Sequence, residues 1–130
     1  RRNGRPIAFS TLDGVGTALV GTGFGYDPER RRAQGQVVAG LLPHVRDIRR
    51  MGAAAVDLCS VACGRLDAYY ERGLSWWDLA AGGLIATEAG AVVSSLDGGP
   101  MVPGSVLAAG PRLAAPLRDL LCSLGAQKVS

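Results

Sequence analysis

The run Val106-Leu107-Ala108-Ala109, closed by Gly110-Pro111, is apolar at every strand position. A strand with no polar side has no face to turn to water, so it belongs inside a sheet that helices cover on both faces. The rest of the chain supplies them. Pro111 opens a helix to about Ser123, its missing N–H being harmless at a first helical position. Trp76 to Glu88 is rich in Ala and other small residues and is ended by Gly90, which predicts a closely packed helix. Ala53 to Ala62 is apolar at nearly every position, which predicts a helix buried on most sides and capped by Gly64. Pro28 opens a further helix, expected to end near Leu42, where Pro43 stops it.

Strands fall between these helices. Leu19 to Thr22 leads into a glycine-rich loop, Asp47 to Met51 has strand character, and Ala91 to Ser94 is a further strand before the tight turn Asp97-Gly98-Gly99-Pro100. Leu66 to Glu71 reads as a strand with Leu66, Ala68 and Tyr70 on one face and Asp67, Tyr69 and Glu71 on the other. Alternating strands and helices define an α/β class, a sheet sandwiched between helices.

With 130 residues, 48% hydrophobic and 19% charged, the chain suits one folded unit with its own core. Charge is unevenly placed, with nine Arg against four acids in residues 1–50 and five basic residues against seven acids after that. Arg30-Arg31-Arg32 lacks the interleaved aromatics of a nucleic-acid surface and is read as a solvated helix face. The three cysteines are an odd count, and Cys59 and Cys63, four apart on a helix, read as packed thiols of a reducing cytoplasm. His44, the single histidine, has no zinc-like spacing to them. No stretch approaches 18 uninterrupted apolar residues, and Arg1-Arg2-Asn3-Gly4 is not followed by the apolar core of a signal peptide, so neither is expected. The start Asn3-Gly4-Arg5-Pro6-Ile7 looks like a turn entering a strand, so a fragment of a longer protein is expected.

Three features between Gly52 and Asp78 carry chemistry. Gly52-Ala53-Ala54 enters a helix where unpaired N–H groups and small side chains can hold a phosphate or a hydroxyl. Glu71 stands at a strand terminus, where a solvated carboxylate is the plainer reading. Asp78 lies in the first turn of its helix, either as a capping group or as a magnesium ligand, since magnesium takes hard oxygen donors. Spacing does not choose between these.

The block Trp77-Asp78-Leu79-Ala80-Ala81-Gly82-Gly83-Leu84-Ile85-Ala86-Thr87-Glu88-Ala89-Gly90-Ala91 resembles the second signature of the inositol monophosphatase family over its full length. Arg50-Met51-Gly52-Ala53-Ala54-Ala55-Val56-Asp57, Leu66-Asp67-Ala68-Tyr69-Tyr70-Glu71 and Asp97-Gly98-Gly99-Pro100 resemble its flanking blocks in the same order. The resemblance implies the C-terminal part of an alternating five-layer α/β sandwich. Residues 1–25 would close the N-terminal sheet region and residues 26–130 form the C-terminal α/β subdomain. It further implies two or three magnesium ions that activate water against a phosphate monoester. Asp78 matches a metal-binding Asp, Glu71 the carboxylate that bonds a sugar or inositol hydroxyl, and Gly52, Ala53 and Ala54 the backbone that contacts substrate. Tyr26 occupies a substrate-side position where many relatives have Ser, and Trp77 packs beside the site.

The family's first signature, an Asp-Pro-Ile/Leu-Asp-Gly-Thr block, is absent from this sequence, and so is the preceding Glu ligand. Asp13-Gly14 is no substitute. The expectation is a phosphomonoesterase acting on a small polyol phosphate such as inositol monophosphate, a homodimer, with the missing N-terminal half completing the site and this chain alone inactive. Alternatives are a related phosphatase acting on fructose 1,6-bisphosphate, histidinol phosphate or 3′-phosphoadenosine phosphates, and a non-catalytic interaction module.

Overall fold

The structure, a computed structural model, describes residue 4 and residues 9–102 and 104–128. The expected turn at residues 3–7 lies largely outside them. In chain order come β1 (Leu19–Thr22), α1 (Pro28–Leu41), β2 (Asp47–Arg49), α2 (Ala54–Ala62), β3 (Ala68–Arg72), α3 (Trp76–Glu88), β4 (Val92–Ser94), β5 (Ser105–Ala109) and α4 (Pro111–Ser123). The strands form one mixed sheet in the order β2-β1-β3-β5-β4. β1 is parallel to β2 and β3, whereas β5 is antiparallel to β3 and to β4. Parallel neighbours require a crossover, which α1 supplies between β1 and β2 and α2 between β2 and β3.

β5 is buried along its whole length, as its apolar run requires. Its alternation feeds two cores. Leu107 and Ala109 meet Val37 and Leu41 of α1 and Leu113, Leu117 and Leu121 of α4. Val106 and Ala108 meet Leu58 and Val61 of α2 and Leu79 and Ala86 of α3 on the opposite face. The sheet is therefore sandwiched between helices, as expected.

Several local expectations shift. α1 stops at Leu41, and Pro43 sits inside a short 3-10 turn, Leu42–His44, because proline suits the start of a turn as well as it breaks a helix. β2 ends at Arg49, an edge strand whose Asp47 and Arg49 pair with each other at 2.8 Å. Leu66 precedes β3 rather than sharing a face with Ala68 and Tyr70, and it packs with Tyr69 instead. The N–H groups of Arg65 and Leu66 go to Ser60 O near the end of α2, at 2.8 and 3.2 Å, so this stretch finishes the helix before the strand begins, and the Asp67 carboxylate accepts from the Leu19 N–H at 2.7 Å. α2 is buried on most of its circumference, as expected, through Asp57, Leu58, Ser60, Val61 and Ala62; it packs on the sheet and on α3 and leaves only the strip around Ala55 and Val56 exposed.

Asp57, Ser60, Glu71 and Thr22 are polar residues inside these cores. Among the described residues all three cysteines are free, and no helix is long and apolar enough to cross a membrane.

Candidate functional site

β1, β2 and β3 point the same way, so their carboxyl ends share one edge of the sheet, where an open α/β sheet receives ligands. Gly23 to Tyr26 leave β1, Arg50 to Ala53 leave β2, and Gly73 to Ser75 leave β3. With the first turns of α2 and α3, these exits enclose a cleft of about 580 Å³. Tyr26, Gly52, Ala53, Ala54, Glu71 and Asp78 all line it.

Glu71 owes its place to strand periodicity and to two glycines across from it. Tyr69 and Glu71 share one face of β3, and Gly21 is the register partner of Tyr69. A Cβ on Gly23 would overlap the Glu71 carboxylate, and one on Gly21 would lie 2.7 Å from Leu66 and 3.5 Å from Asp57 Oδ1. Only glycine leaves room for these side chains. The Tyr69 hydroxyl donates to Glu71 Oε1 at 2.6 Å, and Glu71 is 9% exposed, so it is a buried, held carboxylate rather than a solvated one. Burial raises its pKa, opposed by the Tyr69 hydrogen bond and by Arg50. Tyr69 is itself pushed far above the ordinary range by burial and by the adjacent Glu71 charge.

Asp78 caps α3. Its Oδ2 accepts from the Ser75 N–H at 3.1 Å and from the Ser75 hydroxyl at 2.6 Å, the return half of a capping box, while the carboxylate lines the cleft. Capping and cleft placement thus coexist in one residue. Tyr26 is 92% exposed at the rim, and Trp77, 83% exposed, lines the mouth.

Other participants were not singled out from the sequence. Gly25 donates its N–H to Gln34 Oε1 at 2.9 Å and accepts from Arg31 Nη1 at 3.0 Å, so α1 pins the loop after β1. The guanidinium carbons of Arg31 and Arg50 lie 5.7 and 5.8 Å from the Phe24 ring centroid. The Arg30–Arg32 face is accordingly more than solvated surface: Arg31 clamps the loop and Arg30 lines the cleft. Asp57, in the first turn of α2, is 1% exposed, and its Oδ1 has no hydrogen-bond partner among the described residues. Burial and the charge of Glu71 push its pKa up to about 6, against the pull of Arg50. One signal was available, an acid among consecutive apolar positions of a helix.

No three His, Cys, Asp or Glu side chains group as a metal cage among the described residues. Asp78 is nonetheless a fixed, hard oxygen donor at a cleft wall. A magnesium ion commonly takes one or two carboxylates, waters and a substrate phosphate, so Asp78 fits one corner of such a site.

Carboxylates and two helix starts gather beyond the ends of the parallel strands of this α/β fold, the place where such sheets commonly receive small ligands. The family model described as "Inositol monophosphatase family" matches residues 1–126. The chain belongs to the inositol monophosphatase family. The inositol-1-monophosphatase of Mycobacterium leprae (strain TN) is 53% identical over 107 residues, 81% of this chain and 37% of that protein. The Nus factor SuhB of Pasteurella multocida (strain Pm70) is 44% identical over 104 residues, 78% of this chain and 39% of that protein. Among solved structures, Mycobacterium tuberculosis SuhB matches with a TM-score of 0.83 at 46% identity, over 93% of this chain and 47% of that one. The inositol monophosphatase from Anabaena (Nostoc) sp. PCC 7120 matches with a TM-score of 0.87 at 36% identity, over 94% of this chain and 51% of that one. The chain therefore spans about half the length of these solved relatives.

Proposed function

We propose that the whole protein carrying this chain is a magnesium-dependent phosphomonoesterase that hydrolyses a small polyol phosphate such as inositol monophosphate. The observation that carries this reading is the convergence of Tyr26, Gly52–Ala54, Glu71 and Asp78, from separate stretches of sequence, on one cleft. The name of the Mycobacterium leprae relative, inositol-1-monophosphatase, supports the same substrate class.

Each residue has a task in this reading. Glu71, oriented by Tyr69, accepts a hydrogen bond from a substrate hydroxyl. Gly52, Ala53 and Ala54 offer backbone N–H groups at the start of α2 to a substrate oxygen, with side chains too small to obstruct it. Arg30 and Arg50 give the cleft positive potential for a phosphate. Asp78 would hold a cation, its carboxylate fixed by Ser75. Magnesium, when bound, acts as a Lewis acid on the phosphate and lowers the pKa of an attacking water.

One carboxylate does not complete such a site. The remaining ligands are assigned to the part of the relatives' fold that this chain does not span, so this chain alone binds magnesium weakly and is inactive. Trp77, Leu84 and Ile85, large apolar side chains exposed along α3, support a further layer of protein over that face. A homodimer in the cytoplasm belongs to the same reading. The test is phosphate release by the whole protein, in magnesium, from inositol monophosphate, fructose 1,6-bisphosphate, histidinol phosphate and 3′-phosphoadenosine phosphates. Release fastest from inositol monophosphate is expected; release from none of them overturns the reading.

A further inference from the structure

α1 buries one stripe of side chains, Gln34, Val37 and Leu41. Val37 and Leu41 are the apolar residues that such a stripe ordinarily carries. Gln34 is only 7% exposed, yet it is an amide. Its Oε1 accepts from the Gly25 N–H at 2.9 Å, while its Nε2 is buried with no hydrogen-bond partner among the described residues. A buried amide nitrogen left unpaired costs at least as much as one neutral hydrogen bond gains. Stability therefore gives no reason for glutamine at this position.

What the side chain holds does give one. Gly25 is fixed at both backbone groups, its N–H by Gln34 and its carbonyl by Arg31 Nη1 at 3.0 Å. Earlier in the same loop, Gly23 lies so close to Glu71 that a Cβ there would overlap the carboxylate. Between the two glycines, the Phe24 ring has the guanidinium carbons of Arg31 and Arg50 at 5.7 and 5.8 Å from its centroid. Gln34, Gly23, Phe24 and Glu71 also line one narrow cavity of about 10 Å³. A shift of this loop is therefore felt directly by Glu71, and small displacements of a positioned group are costly.

We infer that Gln34 is a positioning residue for the substrate side of the cleft: through Gly25 it holds the loop of residues 23–26 against Glu71, with no gain in stability. The inference rests on the reading of Glu71 as the group that receives the substrate hydroxyl. A hydroxyl contact made alike in the ground state and the transition state is read in KM rather than in kcat.

The test is Gln34→Met in the whole protein, since methionine is of similar length, suits the apolar stripe and offers Gly25 no oxygen. Three results are expected. The urea midpoint is equal to that of the unsubstituted protein or above it. Amide exchange at Gly25, followed by NMR without substrate, is about tenfold faster. KM for inositol monophosphate rises about fivefold, with kcat within about twofold. A lowered urea midpoint, or a variant that does not fold, overturns the inference, because Gln34 is then there for stability. Unchanged exchange at Gly25 overturns it as well. An unchanged KM beside a Glu71→Gln variant whose KM rises also overturns it, and leaves the hydroxyl role of Glu71 standing. If neither substitution moves KM, the hydroxyl role of Glu71 falls and the inference falls with it.

Discussion

Asparagine at position 57 should stabilise the protein at neutral pH and do nothing in acid. The side chain is 1% exposed, and its ordinary value of 3.8 is pushed up to about 6, chiefly by burial. Between those values the folded chain holds a proton that the unfolded chain has released, so stability falls as pH rises through the window. The full penalty, reached above about pH 6, is about 3 kcal/mol. Asparagine matches neutral aspartic acid in size and polarity but cannot ionise. The difference between the two proteins is therefore near zero at pH 3 and about 3 kcal/mol in favour of Asp57→Asn at pH 7.5. Urea denaturation followed by far-ultraviolet circular dichroism reads this as a midpoint rise of about 1–3 M at the upper pH. Asp47 and Asp97, exposed and held below their ordinary values by local hydrogen bonds, work in the opposite direction. They are common to both proteins and cancel in the difference. A difference that stays constant with pH refutes the reasoning. So does an aspartate protein that gains on the variant as pH rises, which would mean that Arg50 holds Asp57 as an anion.

Two further substitutions probe what holds Glu71. Tyr69→Phe removes the 2.6 Å hydrogen bond to Glu71 and leaves a buried oxygen without its donor. The expected loss is about 1.5–3 kcal/mol in denaturant unfolding, with the Glu71 carboxyl moving further upward by NMR. Gly23→Ala places a methyl group on the Glu71 carboxylate, so it should cost about 1–3 kcal/mol and displace Glu71 in a crystal structure of the variant. An unchanged stability and an unmoved Glu71 would contradict the close approach on which the site depends.

Element bounds were most legible where a residue has one local use. Pro111 after Gly110 opens α4, Gly90 follows the end of α3 with a positive φ of 97°, and the unbroken apolar run of β5 has only an interior place. Legibility failed where a side chain bonds across the chain. The N–H of Leu66 goes to Ser60 O near the end of α2, and the carboxylate of Asp67 accepts from Leu19, 48 residues away, so the alternation that should include Leu66 begins at Ala68 instead. Glu71 and Asp78 were legible as candidates through the resemblance of their blocks, and their company in one cleft required the fold. Asp57 escaped because helical periodicity is nearly flat in α2, where apolar residues stand on the exposed and buried sides alike. Phe24 between Arg31 and Arg50 escaped because two of the three come from opposite sides of a crossover.

The most direct test of the metal-dependent reading is the magnesium requirement of the whole protein with Asp78→Asn. Asparagine keeps an oxygen that can accept from the Ser75 N–H, so the start of α3 should hold and the melting temperature should change little. The charge on the cation is lost. The magnesium concentration for half-maximal phosphate release should rise at least about tenfold, the effect of 1.4 kcal/mol of lost binding. Equal activity of the two proteins at limiting magnesium would remove Asp78 from the metal site and contradict the account.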